Sequence, residues 1–435
     1  MPCTLRTYSG IQDWPPIEQQ LRQRQDSTRA VEDSVREIID RVKQSGDAAL
    51  LDYTQRFDCP QFEARQLKVS EALLERAVSE VPDEDLFLIE EAIRRISRFH
   101  EHQKPSSWME PSEEGVMLGQ LIRPVERAGL YIPGGSSGET PLVSSLIMNA
   151  VPALVAGVQH IVAVSPPRRD GSLNPYTLAT AALLGIRDVF AMGSAWAVAA
   201  LALGTETVPA ADVIAGPGNI FVTAAKKMLH GQVGIDLLAG PSEITILADD
   251  STPPGWLAAD LLSQAEHDTE AAAILVSSDA SLLDKTQTAL REQLESLPRK
   301  EIAAESLRKW GAFIEGLDQE PGLELVNRIA PEHLEVCLHD PWSCLGRIRH
   351  AGAVFLGSHS PEAVGDYFSG PNHVLPTGGT ARFASGLGVY HFTKRTSLIS
   401  ASRDYMQRHG DKIARLARLE GLEAHARSAE KRSQH

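Results

Sequence analysis

Positive charge is what this chain most lacks. Its 435 residues carry 42 Lys and Arg against 57 Asp and Glu, a net charge of −15 with His neutral. Sequence-independent nucleic-acid binding displaces counterions with clustered cations, and anionic membranes attract the same clusters, so no nucleic-acid or membrane partner is expected. Cysteine is scarce: Cys3, Cys59, Cys337 and Cys344 are scattered, with no paired framework and no zinc-ribbon spacing. They read as reduced thiols of a cytoplasmic protein. Long apolar runs are missing too. The most apolar stretch, residues 190–204, falls short of the ~20 residues a bilayer needs, and residues 146–164 are interrupted by Asn149, Pro152, Gln159 and His160. No charged-then-apolar signal pattern opens the chain.

What remains is ordinary globular usage, 43% hydrophobic and 23% charged, which excludes disordered, fibrous and disulfide-scaffold classes. At ~150 residues per domain the length suggests about three domains, or two with decorations. Residues 1–25 are polar and broken by Pro15 and Pro16, as in an arm or short cap. From Ser27 the pattern turns helical: Val31, Val35, Ile38, Ile39 and Val42 recur at three- and four-residue spacing, with Gly46 as a stop. A second helix is predicted from Asp85 to His100. Beyond about Ile122, short apolar runs (161–165, 188–192, 213–215, 244–247, 273–276) alternate with helical segments (176–184, 195–203, 220–229, 256–265). That alternation predicts an α/β protein with parallel sheets covered by helices on both faces. DVIAGPG from Asp212 and DLLAGPS from Asp236 echo each other, as two strands entering similar Gly-Pro turns at one rim of a sheet. A strand is predicted at Ala353–Leu356, a Gly/Pro-rich loop at 365–379, and a helical tail from Asp411 with Ile413, Leu416 and Leu419 in step.

Four places could carry chemistry. On a helix, Asp260, Gln264 and His267 fall at i, i+4 and i+7, on one face, and the last two could offer oxygen and nitrogen to a metal; a solvated stripe satisfies the same spacing. Glu332 and His333 follow Pro331. Histidine titrates near ~6.5 and can exchange protons at neutral pH, yet a proline-capped helix start accounts for the pair as well. Asp366 and His373 lie in the Gly/Pro-rich loop, as a site or as an Asx-turn. Glu420 and His425 are ~140° apart around a continuous helix and share a face only if Gly421 breaks it. Two Gly-rich turns, beginning at Tyr131 and Gly216, could present backbone N–H groups to a phosphate. Neither fits the dinucleotide fingerprint, since Phe221 stands where the last small residue belongs, and no Walker sequence occurs. Any metal would take His and oxygen ligands.

Seven segments, in register over nearly the whole chain, resemble the histidinol dehydrogenase family: GLYIPGG (129–135), GTETVPAADVIAGPGN (204–219), GIDLLAGPSE (234–243), DLLSQAEHD (260–268), APEHLE (330–335), GDYFSGPNHVLPT (365–377) and EGLEAHA (420–426). The resemblance implies a zinc enzyme that oxidises L-histidinol through L-histidinaldehyde to L-histidine with two NAD molecules, the last step of histidine biosynthesis. Carried over residue by residue, it implies Gln264, His267, Asp366 and His425 as zinc ligands and Glu332 and His333 as the catalytic pair. Ser242 and Glu420 match substrate contacts, joined by His333 and the zinc ligands, with His373 a further candidate for the substrate's polar end. Tyr131 and Asn219 match NAD contacts. The implied fold has two incomplete Rossmann-like domains, one (126–243) inserted in the other (27–125 and 244–385). An N-terminal arm (1–26) and a C-terminal helical tail (386–435) serve a homodimer with shared active sites, the tail reaching the partner's site.

Two departures stand out. Trp196 occupies the place of a family Gln that contacts NAD; Trp could stack on the cofactor but cannot supply the amide's acceptor. The segment Ser136–Leu142 departs from the usual loop. In the implied mechanism His333 takes the hydroxyl proton, then the hydrate's proton, while Glu332 activates the water that adds to the aldehyde. Three rivals predict different assays: a related zinc/NAD dehydrogenase of another small alcohol such as a sulfopropanediol, a metal-dependent hydrolase without nicotinamide, and a non-catalytic homologue.

Overall fold

The computed structural model describes residues 3–8, 10–24, 31–112, 114–135, 140–316 and 319–433. The chain opens with β1 (Thr4–Tyr8) and helices α1 (Trp14–Gln23), α2 (Glu32–Phe57), α3 (Glu71–Glu80) and α4 (Asp83–Glu101). Strands β2 (Trp108–Pro111) and β3 (Val116–Pro124) follow. Next comes a βα series: β4 (Arg127–Tyr131), α5 (Val143–Ala156), β5 (His160–Ser165), α6 (Pro175–Leu183), β6 (Asp188–Ala191), α7 (Ser194–Leu203), β7 (Val213–Ala215), α8 (Ile220–Leu229) and β8 (Gly234–Ile235). A second series runs β9 (Glu243–Ala248), α9 (Pro254–Ala265), β10 (Ala272–Ser277), α10 (Ala280–Leu294), α11 (Lys300–Trp310), β11 (Ala312–Gly316), α12 (Gln319–Ile329), β12 (His333–Cys337), β13 (Ala353–Leu356) and α13 (Glu362–Tyr367). The chain closes with β14 (Thr393–Ala401), α14 (Arg403–Leu419) and α15 (Glu423–Ser433).

The two series build two all-parallel sheets, ordered β6-β5-β4-β7-β8 and β1-β11-β10-β9-β12-β13. Strands β9, β10 and β12 are buried at every residue. Short Val/Ile/Leu/Ala runs covered on both faces are what parallel crossovers require. Counted from its first strand, each series has spatial order 3-2-1-4-5. The winding therefore reverses between β4 and β7 in one sheet and between β9 and β12 in the other, giving each a topological switch point. A third, antiparallel sheet pairs β3 with β2 and with β14, in register from Thr393↔Pro124 to Ala401↔Val116.

Alternation along the strands splits the core of the six-stranded sheet. Ile244, Ile246 and Leu275 pack with Leu257, Leu261 and Leu307 of α9 and α11 on one face. Ile274, Val276 and Leu334 pack with Ile17 of α1 and Val326 of α12 on the other. No helix among the described residues is long and apolar enough to cross a membrane.

Several expectations need revision. Residues 4–8, assigned to an arm, are an edge strand paired in parallel with β11. Helices α2–α4, grouped from the sequence with 244–385, share an apolar core with the other sheet: Tyr53, Leu74, Ile89 and Ile96 join Leu130, Val162 and Phe190. Their amphipathic faces gave the helices but not the surface they cover. Gly46, at φ 50°, ψ −130°, does interrupt the helix as expected, but a second helical segment follows it directly to Phe57, so α2 is two helices meeting at a kink. Residues 386–435 are not purely helical, since β14 precedes the two tail helices. In the second half of the DVIAGPG/DLLAGPS echo, β8 stops at Ile235, so Asp236–Ala239 are irregular.

Candidate active site

The site forms at the N-terminal edge of the six-stranded sheet, across its switch point. His333 opens β12 and is in register with Ile244 of β9 and Ala353 of β13. The pair Glu332–His333 is thus a strand entry and not the start of a helix. Ala330, two residues upstream, holds φ 52°. Left-handed backbone at a residue with a Cβ costs on the order of 1–2 kcal/mol and is usually met where the surrounding structure over-determines it.

Both side chains are buried, and one residue anchors both. The backbone N–H of Glu243 donates to Glu332 Oε2 at 2.9 Å, and the Glu243 carbonyl lies 3.1 Å from His333 Nδ1. A carbonyl only accepts, so Nδ1 carries the proton and Nε2 is left with a free lone pair. His333 Nε2 has no hydrogen-bond partner although it is buried, and lies 3.9 Å from Asp366 Oδ1. Burial pushes the His333 imidazole down to about 3, with the charges of His267 and His373 adding to the effect. The ring is therefore neutral, its basic form fully populated.

Carboxyls crowd the same space. Burial raises Glu332 well above the usual carboxylate range, with Glu243 and Asp366 pushing the same way. Glu362 is raised for the same first reason, then by Asp366, Glu332 and Glu335. Asp366 is pushed up to about 6 by burial. Such a cluster disfavours its own ionisation unless a cation shares it. Ligand atoms of His267, Glu362 and Asp366 lie within 4.8 Å of one another, close enough to hold one ion. Gln264 sits against them. With its nitrogen toward Glu362 it donates at 2.5 and 2.7 Å, while its oxygen accepts from Glu243 N–H at 2.7 Å. A half-turn of the amide offers its oxygen to the cluster instead. An imidazole, carboxylates and an amide oxygen suit a divalent ion such as zinc.

The structure brings together Gln264, His267, Asp366, Glu332 and His333. Helix α9 ends at Ala265, however, so His267 reaches the cluster from the following turn and not from the i+7 position of a helix. Ser242, partly buried, immediately precedes β9. His373 Nδ1 lies 3.0 Å from the Asp366 carbonyl, which ties the loop to α13. Glu362 was missed from the sequence. Its signal was available: four residues before Asp366, it falls on the same helical face. Arg24, Glu243 and Glu335, ionisable groups near the site, were not singled out either, and Asp260 was placed on the Gln264 face without a role.

Tyr131 and Asn219 flank the other switch point, at the ends of β4 and β7. The Tyr131 hydroxyl accepts from the Ser194 N–H at 3.1 Å. Asn219 caps α8, its Oδ1 accepting from Phe221 and Val222 N–H, which leaves its exposed amide nitrogen uncommitted to the cap. Gly216 at φ 119° passes so close to the Tyr131 carbonyl that a Cβ would sit 2.1 Å from it. The buried Lys226–Asp236 pair pins that turn: Lys226 donates to the Gly216 carbonyl and Asp236 accepts from its N–H. Trp196 does not present a free face there. It is 4% exposed and stacks on Tyr53 and Phe57 at 5.6 and 5.7 Å, its Nε1 buried without a partner. Of the departing loop, residues 136–139 lie outside the described residues.

Glu420 and His425 are not part of the cluster within one chain. Gly421, at φ 75°, does break the helix, and both residues line a groove of about 410 Å³ between α14 and α15 with Ile413, Leu416 and Leu422.

The family model for histidinol dehydrogenase matches residues 21–433. A histidinol dehydrogenase of Oleidesulfovibrio alaskensis is 55% identical over 99% of this chain and 100% of its own length. That of Nitratidesulfovibrio vulgaris is 54% identical over 100% and 99%, respectively. The crystal structure of histidinol dehydrogenase from Elizabethkingia anophelis superposes with a TM-score of 0.91 at 35% identity, covering 100% of this chain and 98% of that one. With sequence and architecture in agreement over their full extent, the chain belongs to the histidinol dehydrogenase family of oxidoreductases.

Proposed function

We propose that this protein oxidises L-histidinol to L-histidine through L-histidinaldehyde, in two successive hydride transfers to two NAD molecules with one zinc ion per site. The observation that carries this reading is the bare, buried Nε2 of His333 beside Glu332 and the metal-type cluster. Gln264, His267 and Asp366 would hold the zinc, with His425 of the partner subunit. When bound, zinc supplies charge that offsets the carboxylates and anchors the amino alcohol, and NAD supplies the hydride acceptor.

The chain's own groups handle the protons. His333 Nε2 accepts the hydroxyl proton as the alcohol carbon loses hydride. Glu332 takes a proton from the water that adds to the aldehyde. His333 returns its first proton to the aldehyde oxygen as the water adds, and then takes a proton from the hydrate as the hydrate carbon loses the second hydride. Two bases serve because the two halves begin from different oxygens. Ser242 and the partner's Glu420 would orient the substrate. Tyr131 and Asn219 would hold NAD at the β4/β7 switch point, the usual ligand crevice of an open α/β sheet. Trp196 would shape that site as a packing residue.

We place residues 126–243 as the inserted Rossmann-like domain, with 244–385 and the N-terminal strand forming the other. We further infer a cytoplasmic homodimer. Leu416 and Leu419 on α14 are 65% and 75% exposed, an apolar stripe that a partner would cover. The test follows NADH absorbance with histidinol, NAD and zinc. Two NADH per histidinol, abolished by a chelator, are expected. No rise with histidinol, or a higher rate with a sulfonated propanediol, overturns the assignment.

A further inference from the structure

Glu243 holds both catalytic side chains through its backbone, which raises the question of what holds Glu243. Its carboxylate is buried and paired: Arg24 Nη1 donates to Oε2 at 2.8 Å, the two side chains being 3% and 5% exposed, and Gly378 N–H donates to Oε1 at 2.9 Å. The rest of the Arg24 guanidinium is spent on the same strand entry. Nη2 donates to the carbonyls of Pro241 and Ser242 at 3.1 and 3.0 Å, and Nε to that of Glu270 at 2.9 Å. Arg24 thus gathers the start of β9, the approach to β10 and, through Glu243, the 378 turn. It arrives from just beyond α1, far away in sequence.

We propose that Arg24 is a positioning residue for the Glu332–His333 pair, acting through Glu243; this rests on the roles given to that pair above. The planar fork fixes the 241–243 backbone in one orientation, which a point charge cannot do. That backbone aims the N–H that holds Glu332 Oε2 and the carbonyl that holds His333 Nδ1. If the backbone at residue 243 shifts, the N–H of the 242–243 peptide and the carbonyl of the 243–244 peptide shift with it, and both bases lose their anchors together. Misplacement by ~1 Å from a distant change can cost ~10²-fold in rate. Arg24 also brings positive charge to an acidic neighbourhood, so that the Glu243 charge is balanced where it faces Glu332.

The experiment uses the full-length, zinc-loaded protein. Arg24→Lys keeps the charge and loses the fork. Its melting temperature, zinc content, histidinol affinity and kcat for each half-reaction are measured beside Glu332→Gln and His333→Asn. The expected result is a folded Arg24→Lys protein with parental zinc content, and with kcat at saturating histidinol at least about tenfold lower in both halves. Parental kcat, or a loss that follows zinc or histidinol binding alone, overturns the proposal. Should Arg24→Lys not fold, the double variant Arg24→Met/Glu243→Met decides. Apolar replacement of a buried ion pair is often tolerated by a fold, so low kcat in that folded protein supports the proposal; parental kcat, or failure of this variant also to fold, overturns it. The two controls separate the failures. If they keep full activity, the reading of the pair is wrong; if they are inactive while Arg24→Lys is not, only the positioning role falls.

Discussion

His333 can act as a base because its two nitrogens have different neighbours. Nδ1–H donates to the Glu243 carbonyl, and Nε2 is left without a partner. Asparagine at 333 offers no comparable base, so His333→Asn is expected to lose ~10²–10⁴-fold in both half-reactions, read as histidinol and histidinaldehyde turnover. Glu332→Gln should lose more in aldehyde than in alcohol oxidation; equal losses would refute the division of labour. Asp58 illustrates a residue-scale cost. Burial pushes its carboxyl up to about 6 from 3.8, and its Oδ2 has no partner. A raised carboxyl pKa means the native state binds the proton more tightly, so this stabilising contribution is full below the unfolded pKa and is lost as pH rises through the folded one. Asp58→Asn should therefore stabilise little near pH 4 and by about 1–2 kcal/mol at pH 8, since the group is partly solvated. Thermal melts at the two pH values check the difference.

Element placement turns these side chains into a site. Helix α13 carries both Glu362 and Asp366, and its first N–H donates to Glu335 Oε1 of β12 at 2.8 Å, which ties helix to strand. Between the two acids lies Gly365, where a Cβ would meet Phe355 of β13 at 2.6 and 2.8 Å. That contact fixes how closely α13 approaches the sheet. Gly365→Ala must lift the helix or displace the ring, and is expected to cost about 1–3 kcal/mol of stability. Because Asp366 moves with the helix, zinc affinity should fall ~10–100-fold, as for other supporting positions around metals. Competition with a chromophoric chelator measures it. An unchanged affinity would mean that α13 adjusts without moving its carboxylates.

At the scale of the molecule, the C-terminal hairpin leaves an apolar face uncovered. It buries Ala414, Ala426 and Ala429 within itself while Leu416, Leu419 and Leu422 remain exposed. His425 and Glu420 line a groove there, apart from the cluster they are proposed to complete. A two-fold dimer that exchanges hairpins would resolve both features. It makes a stoichiometric prediction. His425→Ala and His333→Asn subunits are each expected to be inactive alone. Mixed by unfolding and reassembly, half of the dimers are heterodimers, and each of these has one intact site. Equal mixing should therefore recover about a quarter of parental activity if sites are shared across the dimer. No recovery would place His425 in the site of its own chain.

Much of this protein is settled by its sequence. The βα alternation gave both parallel sheets because strands covered on both faces must be short runs of Val, Ile, Leu and Ala, whatever their partners. The motif segments, through their resemblance to the family, named Gln264, His267, Glu332, His333 and Asp366, which the fold gathers into one cluster. Tertiary structure decided which surfaces meet. An amphipathic face specifies that a helix is covered, not by what, and so α2–α4 joined the five-stranded sheet against expectation. Residues 4–8 became an edge strand because β11 offered unpaired backbone groups, which no pattern within five residues can announce. Arg24 was illegible for the same reason: a single arginine in a polar segment gains its meaning only where folding sets it against Glu243, whose backbone holds both bases.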